Sequence, residues 1–225
     1  MEKQQLPLEH NYQRPEIATN KAPVIILLHG YGSDHNDLFS FAPHLPKTHH
    51  IIALKAPLSM EPQGNAWYSI YFEAGDSKFN DIPQALAARD QVVQCIDSII
   101  DTYNADPDNV TLIGFSQGTI LSFAVALSYP KKIKNIVGLS GYISQEMLTP
   151  GYEKNDFSHL NVYTSHGSVD QVIPVSWAQK TPEFLKELNI ECTYSEFSCN
   201  RCQAKNIDLI NGFKLFPRSF SKRFI

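Results

Sequence analysis

Residues 110–118 read Val-Thr-Leu-Ile-Gly-Phe-Ser-Gln-Gly, an apolar run that ends in the pattern Gly-x-Ser-x-Gly around Ser116. Residues 110–115 are typical of a strand buried on both faces, and residues 119–129 continue as an apolar helix that Pro130 ends. A serine between such a strand and such a helix is the pattern of a nucleophile elbow. A tight turn with a helix-capping serine is the alternative for the same residues.

Further apolar runs of the same kind alternate with helical patterns along the chain. Strands are predicted at residues 24–28, 51–54, 110–115, 133–139 and 162–165. Helices are predicted over about 81–103, 119–129 and 176–188, the first with Asp81 as its cap and Pro83 in its first turn. This alternation predicts an α/β fold, a single doubly wound, mostly parallel sheet with helices on both faces. Residues 1–225 are expected to form one domain, without a separate lid domain.

The composition excludes several classes of protein. The 225 residues are 43% hydrophobic and 19% charged, with a net charge of −4, as in a soluble globular domain with no basic excess for nucleic acid. No stretch approaches the roughly 20 apolar residues of a membrane span, and residues 1–16 lack an apolar signal segment. We therefore expect a cytoplasmic protein whose four cysteines are thiols.

The loop after the predicted strand at 24–28 reads His29-Gly30-Tyr31-Gly32-Ser33. Acyl transfer needs donors aimed at the developing oxyanion, one from the residue after the nucleophile and one from this loop. Gln117 and Tyr31 occupy those places. The alternative is a glycine-rich turn without a ligand, and His29 is expected to orient the loop by hydrogen bonding rather than to act as a base.

The run His166-Gly167-Ser168-Val169-Asp170 follows the predicted strand at 162–165. Asp170 lies after the nucleophile in the chain and at the same edge of the sheet, so it is the expected acid of a serine triad. The alternative is a loop aspartate that caps the following helix.

Together these residues resemble the phospholipase/carboxylesterase family of small α/β-hydrolases, which includes acyl-protein thioesterases. The likeness runs from about residue 22 to 197 and includes LLHGYGS (27–33), NAWYSI (65–70), NVTLIGFSQG (109–118), LSGY (139–142) and SHGSVDQVIPV (165–175). It implies that Ser116 is the nucleophile, Asp170 the triad acid, and the amides of Tyr31 and Gln117 the oxyanion hole.

The resemblance also implies the kind of ligand. Trp67, Tyr68 and Phe72 fall in the segment that lines the acyl pocket of relatives, with core packing as the alternative. The implied partner is a small-molecule ester or thioester, with no metal or organic cofactor, and a homodimer is left open. The pair Cys199-x-x-Cys202 lacks the further ligands of a zinc site.

The chain departs from the family at the third triad residue, a histidine just after the last strand. Here residues 198–202 read Ser-Cys-Asn-Arg-Cys, and no histidine follows His166. By register Arg201 takes the place, but a guanidinium stays protonated and cannot accept the serine proton; it would instead pair with Asp170. The resemblance thus implies a carboxylic ester hydrolase with impaired turnover, or a catalytically inactive protein that binds an acyl ligand or a partner.

Residues 198–225 also differ in charge, with six Lys or Arg and one acidic residue, Asp208. We hypothesise that the reading frame or the gene is damaged after about residue 197; the alternative is a tail that has diverged. The apolar helical pattern at 206–213 favours divergence. Resequencing the gene across codon 198 distinguishes them.

Overall fold

A seven-stranded sheet forms the centre of the computed structural model, which describes residues 6–17, 19–72 and 78–198. The strands are β1 (His10–Gln13), β2 (Val24–Leu28), β3 (His50–Leu54), β4 (Leu58–Ser59), β5 (Asn65–Ala66), β6 (Ile70–Phe72), β7 (Lys78–Asn80), β8 (Val110–Phe115), β9 (Asn135–Leu139), β10 (Asn161–Gly167) and β11 (Cys192–Phe197). The order in the large sheet is β1-β3-β2-β8-β9-β10-β11. Only β1 runs antiparallel to its neighbour in this sheet.

Helices cover both faces of this sheet. They are α1 (His35–Phe39), α2 (Ile82–Tyr103), α3 (Gln117–Ser128), α4 (Val175–Ala178) and α5 (Lys180–Glu187), with short 3-10 turns at Ala42–His44, Pro130–Lys132, Gln145–Met147 and Tyr152–Lys154. Alternate residues of β2 face opposite ways: Ile26 shares an apolar cluster with α2 and α3, and Ile25 shares one with α1. The predicted doubly wound, mostly parallel α/β sheet is confirmed.

All five predicted strands are present, as β2, β3, β8, β9 and β10. The helix predicted at 176–188 is instead two helices, α4 and α5, that meet at Gln179. Pro182 explains the interruption, since it lacks the N–H that would bond the Ala178 carbonyl of a continuous helix. The polar segment 1–16, for which no element was predicted, contributes the edge strand β1.

Helix α2 begins and ends as its sequence predicts. The Asp81 carboxylate caps it by accepting the Gln84 N–H over 3.0 Å, with Pro83 in the first turn. Asn104 ends it in the left-handed conformation, at φ 50°. Among the residues described, no helix combines the length and apolarity needed to cross a bilayer.

Candidate active site

Ser116 lies between β8 and α3 in a strained backbone conformation, with φ 53° and ψ −114°. A non-glycine residue at positive φ is uncommon and costs on the order of 1–3 kcal/mol. Neighbouring backbone groups hold it there: its N–H donates to the Leu139 carbonyl over 2.8 Å, and its carbonyl accepts the Thr119 N–H over 3.0 Å. Its side chain makes no capping hydrogen bond to α3, which contradicts the capping alternative.

The two glycines of the pattern allow β2, β8 and α3 to meet at this turn. A Cβ on Gly118 would lie 1.9 Å from the Leu28 carbonyl oxygen, and a Cβ on Gly114 would lie 2.4 Å from the Gly118 carbonyl oxygen. Both distances are far below van der Waals contact, and the obstructing atoms belong to the backbone. The glycines are therefore required by close packing at the elbow.

The predicted oxyanion loop lies against Ser116. A Cβ on Gly30 would be 3.4 Å from the Ser116 Cβ, and Tyr31 and Gln117 line the same cavity as Ser116. Within residues 6–17, 19–72 and 78–198, the backbone N–H groups of Tyr31 and Gln117 have no hydrogen-bond acceptor. Backbone N–H groups of this kind, beside a serine, are the donors that an oxyanion hole requires.

The Gln117 side chain fastens the elbow to the segment that follows β5. Its Oε1 accepts the Trp67 N–H over 2.9 Å, and its Nε2 donates to the Tyr68 carbonyl over 2.8 Å. Trp67 in turn donates its indole N–H to the His29 carbonyl over 2.9 Å. The nucleophile turn and the oxyanion loop are thus connected through buried hydrogen bonds.

Trp67 and Tyr68 do not contact the Ser116 cavity with their side chains. They are 1% and 0% exposed, and neither belongs to the cavity lining. Burial raises the pKa of Tyr68 well above its ordinary value. These observations favour core packing over an acyl-pocket role for the pair, whereas the Phe72 side chain lies outside the described residues.

His29 orients the loop, as expected. Its Nδ1 donates to the Gly30 carbonyl over 2.8 Å, and its Nε2 accepts the Ala56 N–H over 3.0 Å, so both ring nitrogens are occupied. Burial also lowers its pKa, which favours the neutral ring. His29 is therefore not placed to take a proton from Ser116.

Asp170 is buried at the edge of the Ser116 cavity. Its Oδ1 accepts the N–H groups of Val172, over 2.8 Å, and Ile173, over 3.0 Å, and both residues line the cavity. The residue at the cap position of α4 is Pro174, so Asp170 does not cap that helix. The carboxylate instead closes a turn whose residues Val172 and Ile173 line the cavity, and its role as triad acid stays a prediction.

His166 supports the same turn from β10. Its side chain is fully buried, with Nε2 2.9 Å from the Ile173 carbonyl oxygen and 3.6 Å from Asp170 Oδ2. A ring N–H directed at the Ile173 carbonyl holds that loop in place. His166 is absent from the cavity lining, so no histidine of the described residues faces Ser116.

Strand β11 ends beside Asp170. Phe197 pairs with Gly167, and its carbonyl accepts the Ser168 N–H over 2.8 Å. The chain after Phe197 thus leaves the sheet at the edge where the resemblance expects the third triad residue. Arg201 itself, and the cysteines at 199 and 202, lie outside the described residues.

The cavity beside Ser116 has a volume of about 120 Å³. Besides the residues discussed above, its lining includes Ile70, Asn80, Ile120, Tyr142 and Trp177. These five were not predicted, because they come from separate elements whose meeting depends on the tertiary fold. For Ile70 and Tyr142 a signal existed, since the motifs NAWYSI and LSGY contain them.

In residues 6–17, 19–72 and 78–198, no three His, Cys, Asp or Glu side chains are placed together as metal ligands. Cys95 and Cys192 are free thiols, as expected. Burial raises the pKa of each to about 12, so neither is a thiolate at neutral pH.

The family model described as phospholipase/carboxylesterase matches residues 15–206. The chain belongs to this family. The residues matched by the family model extend beyond the likeness seen at 22–197, to residue 15 at one end and to residue 206 at the other.

Individual members of the phospholipase/carboxylesterase family share about a quarter of their aligned residues with this chain. The chain is 26% identical over 192 residues to acyl-protein thioesterase 1 of Candida albicans, covering 79% of this chain and 83% of that protein. It is 27% identical over 183 residues to acyl-protein thioesterase 1 of Saccharomyces cerevisiae, covering 72% and 77%. A Bacillus cereus carboxylesterase structure superposes with a TM-score of 0.77 at 17% identity, over 90% of this chain and 91% of that one. That superposition shows the shared fold.

Proposed function

We propose that the protein is a serine hydrolase of small-molecule carboxylic esters or thioesters, and that the missing triad histidine depresses its turnover. The observation that carries this proposal is the strained Ser116, which lines one cavity together with Tyr31 and Gln117. Membership of the phospholipase/carboxylesterase family supports the same reaction. Relatives named acyl-protein thioesterases support thioesters as well as oxygen esters.

The reaction proceeds through a covalent acyl-enzyme on Ser116. The serine Oγ attacks the substrate carbonyl carbon, and the carbonyl oxygen, now negatively charged, accepts the N–H groups of Tyr31 and Gln117. The intermediate expels the alcohol or thiol, which takes up the proton that Ser116 lost. Water then attacks the acyl carbon, the bond to the serine Oγ breaks, one proton of the water passes to the Oγ, and the carboxylic acid is released. No metal or organic cofactor takes part.

The slow step is the removal of the serine proton. A triad histidine normally accepts it and later donates it to the leaving group, while the acid holds the ring. In this proposal Asp170 takes the second role, which its turn beside the cavity supports, but a guanidinium at position 201 cannot perform the first. Binding and oxyanion stabilisation remain, and these alone can leave about 10³-fold acceleration over water.

Labelling with a fluorophosphonate tests whether Ser116 is an activated nucleophile. We expect mass spectrometry to find the phosphonyl group on Ser116, formed more slowly than on a histidine-bearing relative, and to find none on the Ser116→Ala variant. A folded protein that stays unlabelled after prolonged exposure, or one labelled equally with alanine at 116, contradicts the proposal.

The second candidate is a non-catalytic protein of the same fold that binds an acyl ligand or a partner. The state of the histidines favours this candidate. His29 and His166 are engaged in loop hydrogen bonds, and the sequence has no histidine after His166 that could act as the base. Such a protein would bind carboxylates or acyl thioethers without labelling at Ser116.

Three wider properties complete the proposal. Residues 1–225 form one domain, the protein acts in the cytoplasm, and it forms a homodimer or a monomer without nucleic acid as a partner. Limited proteolysis tests the first of these, fluorescence microscopy of the tagged protein tests the second, and sedimentation equilibrium tests the third.

A further inference from the structure

Two neighbouring cavities share one wall. The cavity beside Ser116 measures about 120 Å³, and a groove of about 500 Å³ lies next to it. Asn80, Tyr142 and Trp177 line both of them. These three side chains therefore border both the space beside Ser116 and the larger groove.

Aromatic packing forms most of this wall. The rings of Tyr142 and Trp177 meet edge to face, with centroids 5.1 Å apart and planes at 76°. The Asn80 amide nitrogen donates to the Tyr142 hydroxyl over 3.3 Å, which holds the tyrosine ring from the other side. Trp177 remains 37% exposed, so its indole is the part of the wall that the core does not hold.

The small cavity limits what can be attached to the reacting carbonyl. Its volume of about 120 Å³ is well below the about 300–1,000 Å³ of pockets for drug-sized ligands, so it suits a short acyl chain. A longer chain needs the groove, where Ile82, Ile143 and Phe184 supply apolar surface.

We propose that Tyr142 and Trp177 set the acyl chain length of the substrate, closing the Ser116 cavity to long acyl chains. This inference rests on the proposed hydrolase function. It makes Trp177 a specificity-determining residue: removing its indole joins the two cavities and admits longer chains.

The test compares p-nitrophenyl butanoate with p-nitrophenyl octanoate as substrates. We expect the unmodified protein to prefer butanoate, and Trp177→Ala to raise the octanoate-to-butanoate ratio of kcat/KM by about tenfold or more. The ratio cancels any slow proton transfer, which affects both esters alike. Trp177→Leu, which keeps apolar bulk, gives a smaller rise and serves if the alanine variant does not fold. Tyr12→Ala is the control, since Tyr12 is equally exposed at 37% but lies on the edge strand β1, and the ratio should not change.

A binding measurement separates this inference from the proposed function. Calorimetry with butanoate and decanoate needs no turnover, and we expect Trp177→Ala to bind decanoate about tenfold more tightly than the unmodified protein does, with butanoate unchanged. If Trp177→Ala shifts decanoate binding in this way but no ester is hydrolysed, only the hydrolase function is contradicted. Two results would overturn the inference. One is an unmodified protein that already binds or hydrolyses the long acyl chain better than the short one, and the other is a Trp177→Ala variant whose chain-length selectivity is unchanged.

Discussion

Among the described residues, no histidine lines the Ser116 cavity. His29 is bonded at both ring nitrogens, and His166 is held by the Ile173 carbonyl. Freeing either ring would break a buried hydrogen bond, which costs about 1–3 kcal/mol. The absence of a histidine after His166 is therefore not compensated by a neighbour, and the effect on rate should be large.

We predict that Arg201→His raises the turnover of p-nitrophenyl butanoate. The unmodified chain should hydrolyse simple esters at least about 10³-fold more slowly than its histidine-bearing relatives. Restoring a base should raise kcat by about 10²-fold or more and change KM little, because proton transfer acts in the transition state. Steady-state kinetics measure both parameters once circular dichroism has shown that the variant is folded.

Arg201→Gln is the matched control, because it removes the positive charge without supplying a base. Equal gains in the two variants would mean that the arginine inhibits by its charge and that no base was restored. An unmodified protein that already reaches the rates of relatives, with activity lost in Ser116→Ala, would identify another group as the base.

At the scale of elements, the site depends on how closely α3 approaches β2. The Gly118 Cα faces the Leu28 carbonyl, so the helix that carries the Gln117 amide sits directly on the strand that leads to the Tyr31 amide. This contact sets the separation of the Gln117 and Tyr31 amides, the two proposed oxyanion donors. A residue with a Cβ at 118 would push the two elements apart.

We predict that Gly118→Ala destabilises the protein by about 3 kcal/mol or more, the upper end of the cost of overpacking, because backbone cannot yield as a side chain can. Urea unfolding followed by fluorescence measures the loss. Gly151→Ala is the control: no atom lies within 4 Å of its added Cβ, and only its positive φ of 82° is strained, at about 1 kcal/mol. Gly118 is in the ordinary helical conformation, so similar losses in both variants would mean that close packing at 118 costs no more than the strained φ at 151, which contradicts the prediction.

The elements that could be predicted from sequence are those in which burial follows one regular pattern from the first residue to the last. β2 and β8 are buried on both faces, so they appear as unbroken apolar runs, and the elbow between β8 and α3 follows from its glycines. Strand β1 was missed because its exposure alternates weakly and its partner β3 is distant in the chain. Asn80, Tyr142 and Trp177 meet only in the folded molecule, so their shared wall left no pattern.

Across the whole molecule, the catalytic candidates and the buried histidines of β3 lie at opposite edges of the sheet. Ser116 and Asp170 follow the carboxyl ends of β8 and β10, whereas His49 and His50 stand at the amino end of β3. Burial lowers the pKa of both histidines, that of His49 to about 4. Acid should therefore weaken the fold at an edge remote from the active site.

We predict that the free energy of unfolding falls as the pH drops from about 6.5 towards 4, with His49 contributing about 3 kcal/mol of the loss, at ~1.36 kcal/mol per pKa unit. The sign follows from proton binding: in this range the unfolded state holds more protons on His49 than the folded state, so folding weakens with acid. The contribution is complete above the unfolded pKa of about 6.5 and is lost as the pH falls through the folded value. Urea unfolding at pH 7 and pH 4.5 should show a smaller difference for His49→Asn than for the unmodified protein. The control is His44→Asn, since His44 is exposed, and it should leave the difference in unfolding free energy between the two pH values unchanged. If His49→Asn leaves that difference unchanged as well, burial of His49 does not govern acid stability.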